Sequence, residues 1–154
     1  MTTTADHQPE RIVVGIDGSP SSRAAVRWAI AHARPDDTIV LVHAWEPSPA
    51  MVDTGLAARR DDSAARGLAH HELARAQALP RDDDITLSCD VVHGDARDCL
   101  SHEQAALLIV GARGRGGLAS VLLGSVSAHL AHHCSVPLVI VPGPGNAARP
   151  QAPR

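Results

Sequence analysis

Leu107-Leu108-Ile109-Val110-Gly111-Ala112-Arg113-Gly114-Arg115-Gly116-Gly117 is an aliphatic run that breaks into glycine, and Leu118 to Leu123 lead from it to Gly124-Ser125-Val126-Ser127. Four aliphatic residues without interruption read as a strand buried on both faces, as in a parallel sheet covered by helices. Glycines at 111, 114, 116 and 117 let the backbone turn sharply and approach a ligand with no Cβ in the way. Gly124 to Ser127 opens a helix with Val126, Leu130, His133 and Cys134 at one-face spacing. Strand, glycine loop and hydroxyl-rich helix N-terminus together make an anion site, with phosphate the usual occupant.

Working back toward the start, Arg11-Ile12-Val13-Val14-Gly15-Ile16-Asp17 is a second buried strand, ending in a carboxylate. Gly18 to Ser22 turns the chain, with Ser19 suited to the N-cap and Pro20 to the first helical position. Ala25, Val26, Ala29, Ile30 and Ala33 form one helical face that Arg34-Pro35 stops. Thr38 to Val42 is a further strand running into His43-Ala44-Trp45. After a loop from Pro47 to Gly55, a longer helix spans about Ala57 to Leu79 with Ala65, Ala69, Leu73 and Ala76 inward. Ile85 to Val92 alternates at first, as an edge strand does, and Gly94-Asp95 starts a short helix to about Gln104. Pro137 to Val141 is the last strand.

Strands alternating with helices predict an α/β fold, a doubly wound five-stranded parallel sheet with helices on both faces. Residues 1–10 read as a disordered lead, 11–142 as one domain and 143–154 as a flexible tail. Ligands in such sheets bind beyond the C-terminal strand ends, where the winding reverses. Asp17 and the Gly111 loop then face one crevice, unless Asp17 only favours the start of the first helix.

The bulk composition excludes several chemistries. The 154 residues carry a net charge of −3, all 14 basic residues are arginine, and there are two Trp with no Phe or Tyr. No basic block or aromatic platform suits nucleic acid. Absence of lysine excludes a Walker-type loop and a Schiff-base mechanism. Cys89, Cys99 and Cys134 have no disulfide or metal spacing, and Cys134 is read as packing. The pairs His70-His71 and His132-His133 are sequence neighbours that splay about 100° apart on a helix; with His43 they are read as solvated, and no metal site is expected. The runs Asp61-Asp62 and Asp82 to Asp84 are read as solvated surface. Neither a signal peptide nor a membrane-spanning run is present, so a reduced, cytoplasmic protein is expected.

The spacing Gly111-x2-Gly114-x9-Gly124-Ser125 resembles the nucleotide signature of the universal stress protein family, in its ATP-binding branch. Gly15-Ile16-Asp17-Gly18-Ser19, Val42-His43-Ala44 and His132 to Pro137 are similar to that family in the same order, so the resemblance covers roughly residues 11 to 142. It implies a Rossmann-like strand order of 3-2-1-4-5 with an adenine nucleotide over the switch between strands 1 and 4. Asp17 would meet the ribose or adenine edge, and backbone around Val42 the adenine. Gly111 to Gly117 would lie along sugar and phosphates, with Gly124 to Ser127 on the phosphates. The implied surface is Gly15, Ile16, Asp17, Val42, Gly111, Ala112, Arg113, Gly114, Arg115, Gly116, Gly117, Gly124, Ser125, Val126 and Ser127. The expected ligand is ATP, with Mg bridging its phosphates, or another adenine nucleotide; several relatives place a basic side chain where this chain has Val121, which weakens the case for tight triphosphate binding over AMP or a cyclic nucleotide unless Arg113 and Arg115 compensate.

Alternatives come from the same residues. Gly114 to Ala119 matches G-x-G-x-x-A, but the match follows the fourth strand and no acid closes a following strand. A bare strand-to-helix connection would not require the glycines with the Gly124-Ser125 pair. An enzyme would need a water-orienting group near the terminal phosphate, and the loop offers only arginines, serines and apolar residues. The expectation is a nucleotide-binding regulator with little or no hydrolysis; a weak ATPase and a ligand-free interaction module are the alternatives. A homodimer through Pro137 to Val141 is expected, because an uncovered edge strand invites pairing, together with a protein partner of unknown kind.

Overall fold

The computed structural model describes residues 8–46, 57–116 and 122–144, with only the backbone described for 57–61. Five strands, β1 (Arg11–Gly15), β2 (Thr38–Trp45), β3 (Thr86–His93), β4 (Leu107–Gly111) and β5 (Leu138–Val141), form one parallel sheet in the order β3-β2-β1-β4-β5. The helices are α1 (Pro20–His32), α2 (Ala57–Gln77), α3 (Ala96–Ser101) and α4 (Ser125–His133).

Strand alternation divides the core between the two faces. Ile12, Val14, Ile39, Leu41 and Ile109 point to the side that packs on Ala25, Val26, Ala29 and Ile30 of α1 and Ala69 and Ala76 of α2. Val13, Val40, Val42, Leu108 and Val110 point to the other, against Leu100 of α3 and Leu130 of α4. Both faces being covered explains why β1, β2 and β4 read as continuous aliphatic runs. β3 lies at the sheet edge and is only half-buried, in line with its alternating sequence.

Local chemistry sets the helix ends. Ser19 is the N-cap of α1 and its hydroxyl accepts from Ser22 N–H at 3.1 Å, with Pro20 following. Asp17 is therefore not that cap. The inner face of α4 is Ser127 and Leu130, both buried, flanked by half-buried Val126 and Cys134. His133, expected on that face, is exposed. Cys134 packs at the edge of the second cluster with its Sγ 3.3 Å from the Val136 carbonyl. Asp82 to Asp84 are exposed, whereas Asp37 is buried and its carboxylate accepts main-chain N–H groups of Glu10 and Arg34. The Pro47–Gly55 loop and residues 1–7 and 145–154 lie outside the described residues.

Candidate functional site

The carboxyl ends of β1 and β4 sit side by side and their chains leave to opposite faces, β1 into α1 and β4 toward α4. This is the switch point at which doubly wound sheets open a crevice. A cleft of about 590 Å³, counting space open to solvent, occupies it. Its walls include Gly15, Ile16, Asp17, Val42, Gly111, Arg113, Gly114, Gly124, Ser125, Val126 and Ser127. The sequence reading thus gathered residues from four chain segments that do meet. Ser22, Ala44, Ala96, Leu100 and Val110 also line the cleft and were missed.

Ala44 reaches the cleft because β2 runs on past the end of β1. β1 ends at Gly15 opposite Val42, while β2 continues to Trp45. Ile16 N–H donates to the Val42 carbonyl at 2.9 Å, so that carbonyl is already satisfied. Main-chain direction alternates along a strand. The N–H and C=O of Ala44 therefore face the same side with no described strand opposite them, and among the described residues they have no main-chain partner at the cleft wall. His43 holds the end of β1, its Nδ1 donating to the Ile16 carbonyl at 2.9 Å. A carbonyl only accepts, so Nδ1 carries the proton. This histidine is half-buried and structural rather than solvated.

Asp17 ties two loops together. One carboxylate oxygen accepts from Ser19 N–H at 2.9 Å and the other from Arg115 N–H at 3.2 Å. A Cβ on Gly114 would stand 2.8 Å from that second oxygen, which is why the loop can pass so close. Spare lone pairs on the carboxylate still point to an acceptor role at the cleft. The arginines are tied in as well. The Arg113 carbonyl accepts from the Ser19 hydroxyl at 3.3 Å, and the Arg115 guanidinium covers Gly18, whose φ of +76° already excludes most side chains.

Among the described glycines only Gly18 and Gly94 have positive φ. Gly111 and Gly114 thus serve by what they lack, and Gly116 has open space where a Cβ would be. Ala112 is buried behind the wall, and its carbonyl accepts from Gly124 N–H at 2.7 Å and from the Ser127 hydroxyl at 2.8 Å. Neither Ala112, Arg115 nor Gly116 lines the cleft, and Gly117 and Val121 lie outside the described residues.

The start of α4 differs from that of α1. Its N-cap is Gly124, and no side chain caps it. The Ser127 hydroxyl spends its proton on Ala112, while Ser125 is exposed and its hydroxyl has no partner among the described residues. Among the described residues the first-turn N–H groups of Ser125, Val126 and Ser127, at the cleft, have no main-chain partner. Three main-chain donors, one free hydroxyl and the positive end of a helix dipole converge there. Opposite them the floor is apolar, made of Ile16, Val42, Leu100 and Val110. The arrangement can hold a ligand with an anionic end and a flat or apolar body. Among the described residues, no group of three or more metal-type side chains converges on a point.

Comparison with known proteins now places the chain. The model of the universal stress protein family matches residues 9–142. Universal stress protein Rv1996 of Mycobacterium tuberculosis is 31% identical over 158 residues, a match that covers 90% of this chain and 50% of that protein. This chain spans about half the length of the curated relatives it matches. Among solved structures, UspA from Lactobacillus plantarum superposes with a TM-score of 0.68 at 16% identity, covering 88% of this chain and 99% of that one. A universal stress protein in complex with cAMP superposes with a TM-score of 0.56 at 28% identity, covering 87% and 98%. The strand order, the loop residues at the switch point and the family match over residues 9–142 agree, and the chain belongs to the universal stress protein family.

Proposed function

We propose that the cleft binds an adenine nucleotide, ATP or one of its monophosphate or cyclic relatives, and that occupancy rather than turnover is the signal this protein delivers. The observation that carries the reading is the uncapped first turn of α4, whose N–H groups at Ser125, Val126 and Ser127 face the cleft. Unpaired donors at a helix start cost stability unless water or an anion satisfies them. Phosphate suits them, and the Ser125 hydroxyl adds a further donor. The sugar then lies along Gly111 and Gly114 beside Asp17, and the base rests on Ile16, Val42, Leu100 and Val110 with its polar edge toward the main chain of Ala44. The relative in complex with cAMP, at 28% identity, supports a nucleotide as occupant.

A divalent cation, if one accompanies ATP, would be held mainly by the phosphates, because Asp17 is the one carboxylate among the described cleft residues. Turnover has little to draw on. The described cleft holds no side chain placed to orient water beyond serines and Asp17, which is engaged by two N–H groups.

The test is direct. Protein purified under native conditions is denatured and the released small molecules are identified by mass spectrometry, and emptied protein is titrated calorimetrically with ATP, AMP and cAMP. An adenine nucleotide released, with matching heats of binding, supports the reading. Repeatedly empty preparations that give no heat with any of the three would make this chain a ligand-free interaction module.

A further inference from the structure

The cleft uses the first turn of α4; the last turn carries a second feature. His129 and His133 are four residues apart, the spacing that places side chains over one another on a helix. Their rings lie 4.2 Å apart, centroid to centroid, at an interplanar angle of 11°. The Nδ1 of His133 is 2.9 Å from the His129 carbonyl. A carbonyl only accepts, so that nitrogen is the protonated one, and the Nε2 of His133 keeps its lone pair for a ligand role. A histidine whose other nitrogen donates to a backbone carbonyl is the usual arrangement of a metal-binding imidazole, because the bond fixes tautomer and ring direction.

We propose that His129 and His133 form a two-imidazole site for a divalent first-row transition cation, with water completing its coordination. Metal–imidazole bonds are about 2.0–2.1 Å, so two nitrogens in cis positions stand about 3 Å apart. In the stack the two lone-pair directions run side by side, so the His129 ring turns out of the stack to bring both nitrogens onto one ion, and the torsion that turns a histidine ring is soft. The site sits at the carbonyl end of α4, where the helix dipole favours positive charge. Both residues are at least partly exposed, so the ion has access. His132 does not share the ion: its ring is 6.4 Å from that of His133 and lies edge-on at 75°. Imidazole pairs suit copper, nickel and zinc, and the general affinity order places Cu²⁺ first. His132 and His133 are neighbours in sequence, but the rings that stack are those spaced four apart.

Cu²⁺ titrated into the purified full chain and followed by electron paramagnetic resonance tests this. Wild type should give a species with two nitrogen ligands. His129→Ala and His133→Ala should each weaken it by about tenfold or more and remove one nitrogen, while His132→Ala should titrate as wild type does. Metal-free melting curves establish that the variants fold. As a second measurement independent of any variant, paramagnetic broadening of wild-type NMR signals should centre on 129 and 133. Equal binding by His129→Ala, an equal loss in His132→Ala, or broadening centred on other histidines such as His70 and His71 would overturn the assignment.

Discussion

A methyl group on Gly111 would lie 2.6 Å from the carbonyl carbon of Ser21 and 2.7 Å from the N of Ser22, main-chain atoms that cannot swing aside. On Gly124 the nearest atoms to such a methyl are 3.4 Å away or more, which is ordinary contact, and the backbone there is extended at φ −75° and ψ 171°. Two glycines of one motif therefore do opposite things. Gly111 lets the end of β4 touch the start of α1, so Gly111→Ala should destabilise the fold by about 1–3 kcal/mol through overpacking. Gly124 holds a cap position in which an acceptor side chain would fit. Gly124→Asp should cap α4 and raise the melting temperature, because its carboxylate would take the N–H groups and meet the positive helix end. It should abolish nucleotide binding for the same reason. Thermal melts paired with calorimetry read both effects, and a Gly124→Asp protein that binds ATP like wild type would remove phosphate from the helix start.

At the scale of elements, α1 and α2 are joined across the sheet face by Arg23 and Glu72. The guanidinium donates to both carboxylate oxygens at 3.0–3.2 Å. Glu72 is 3% exposed and Arg23 34%, so the two partners are not equivalent. Arg23→Ala strands a buried carboxylate and should cost about 3 kcal/mol, the lower range for breaking a buried pair. Glu72→Gln leaves an arginine that can turn to water and should cost clearly less. Urea unfolding of the two variants checks the order, and equal losses would contradict it. The short helix α3 depends on Asp95, whose carboxylate caps it by accepting Arg97 N–H at 2.7 Å. Bonding to the Arg97 side chain, then to its N–H, lowers the Asp95 carboxyl to about 2 from 3.8. A lowered folded-state value means stability that is fully present above about pH 4 and lost as pH falls through about 2. Asp95→Ala should cost about 0.5–2 kcal/mol at neutral pH, as for other N-caps. The gap from wild type should close toward pH 2; a gap that persists there would assign it to packing instead.

At the scale of the whole molecule, the sheet has one face closed by α1 and α2 and the other by α3 and α4, leaving β3 and β5 as its edges. α2 packs along β3, whereas Leu138, Val139 and Ile140 of β5 remain only half-buried in the single chain. A short apolar edge of this kind is expected to pair with a second copy about a two-fold axis. Light scattering should give a dimer at micromolar concentration, and a monomer there would exclude the pairing. Steady-state ATP hydrolysis should stay below about 1 s⁻¹, the low end of ordinary enzymes. On the proposed reading the same fixed donors would meet ground state and transition state alike, and uniform binding does not speed chemistry. A faster rate lost in a Ser125→Ala variant would make this protein an enzyme.

What the sequence determined by itself was whatever depends on local pattern. Aliphatic runs long enough for burial on two faces marked β1, β2 and β4, Ser19-Pro20 marked the start of α1, and the glycine spacing with Gly124-Ser125 marked the loop at which the sheet opens. These are short-range preferences of backbone and side chain, so they are written where they act. The tertiary structure decided everything that depends on two distant segments meeting. Only the register of β1 against β2 places the main chain of Ala44 at the cleft with no described strand opposite it, and only packing brings Leu100 and Ala96 of α3 to the cleft. Asp17 accepts an N–H from a residue 98 positions away, and no local pattern announces such a bond. The same limit hid the burial of Asp37 and Glu72, because a carboxylate is read as solvated until the donors that satisfy it are folded around it.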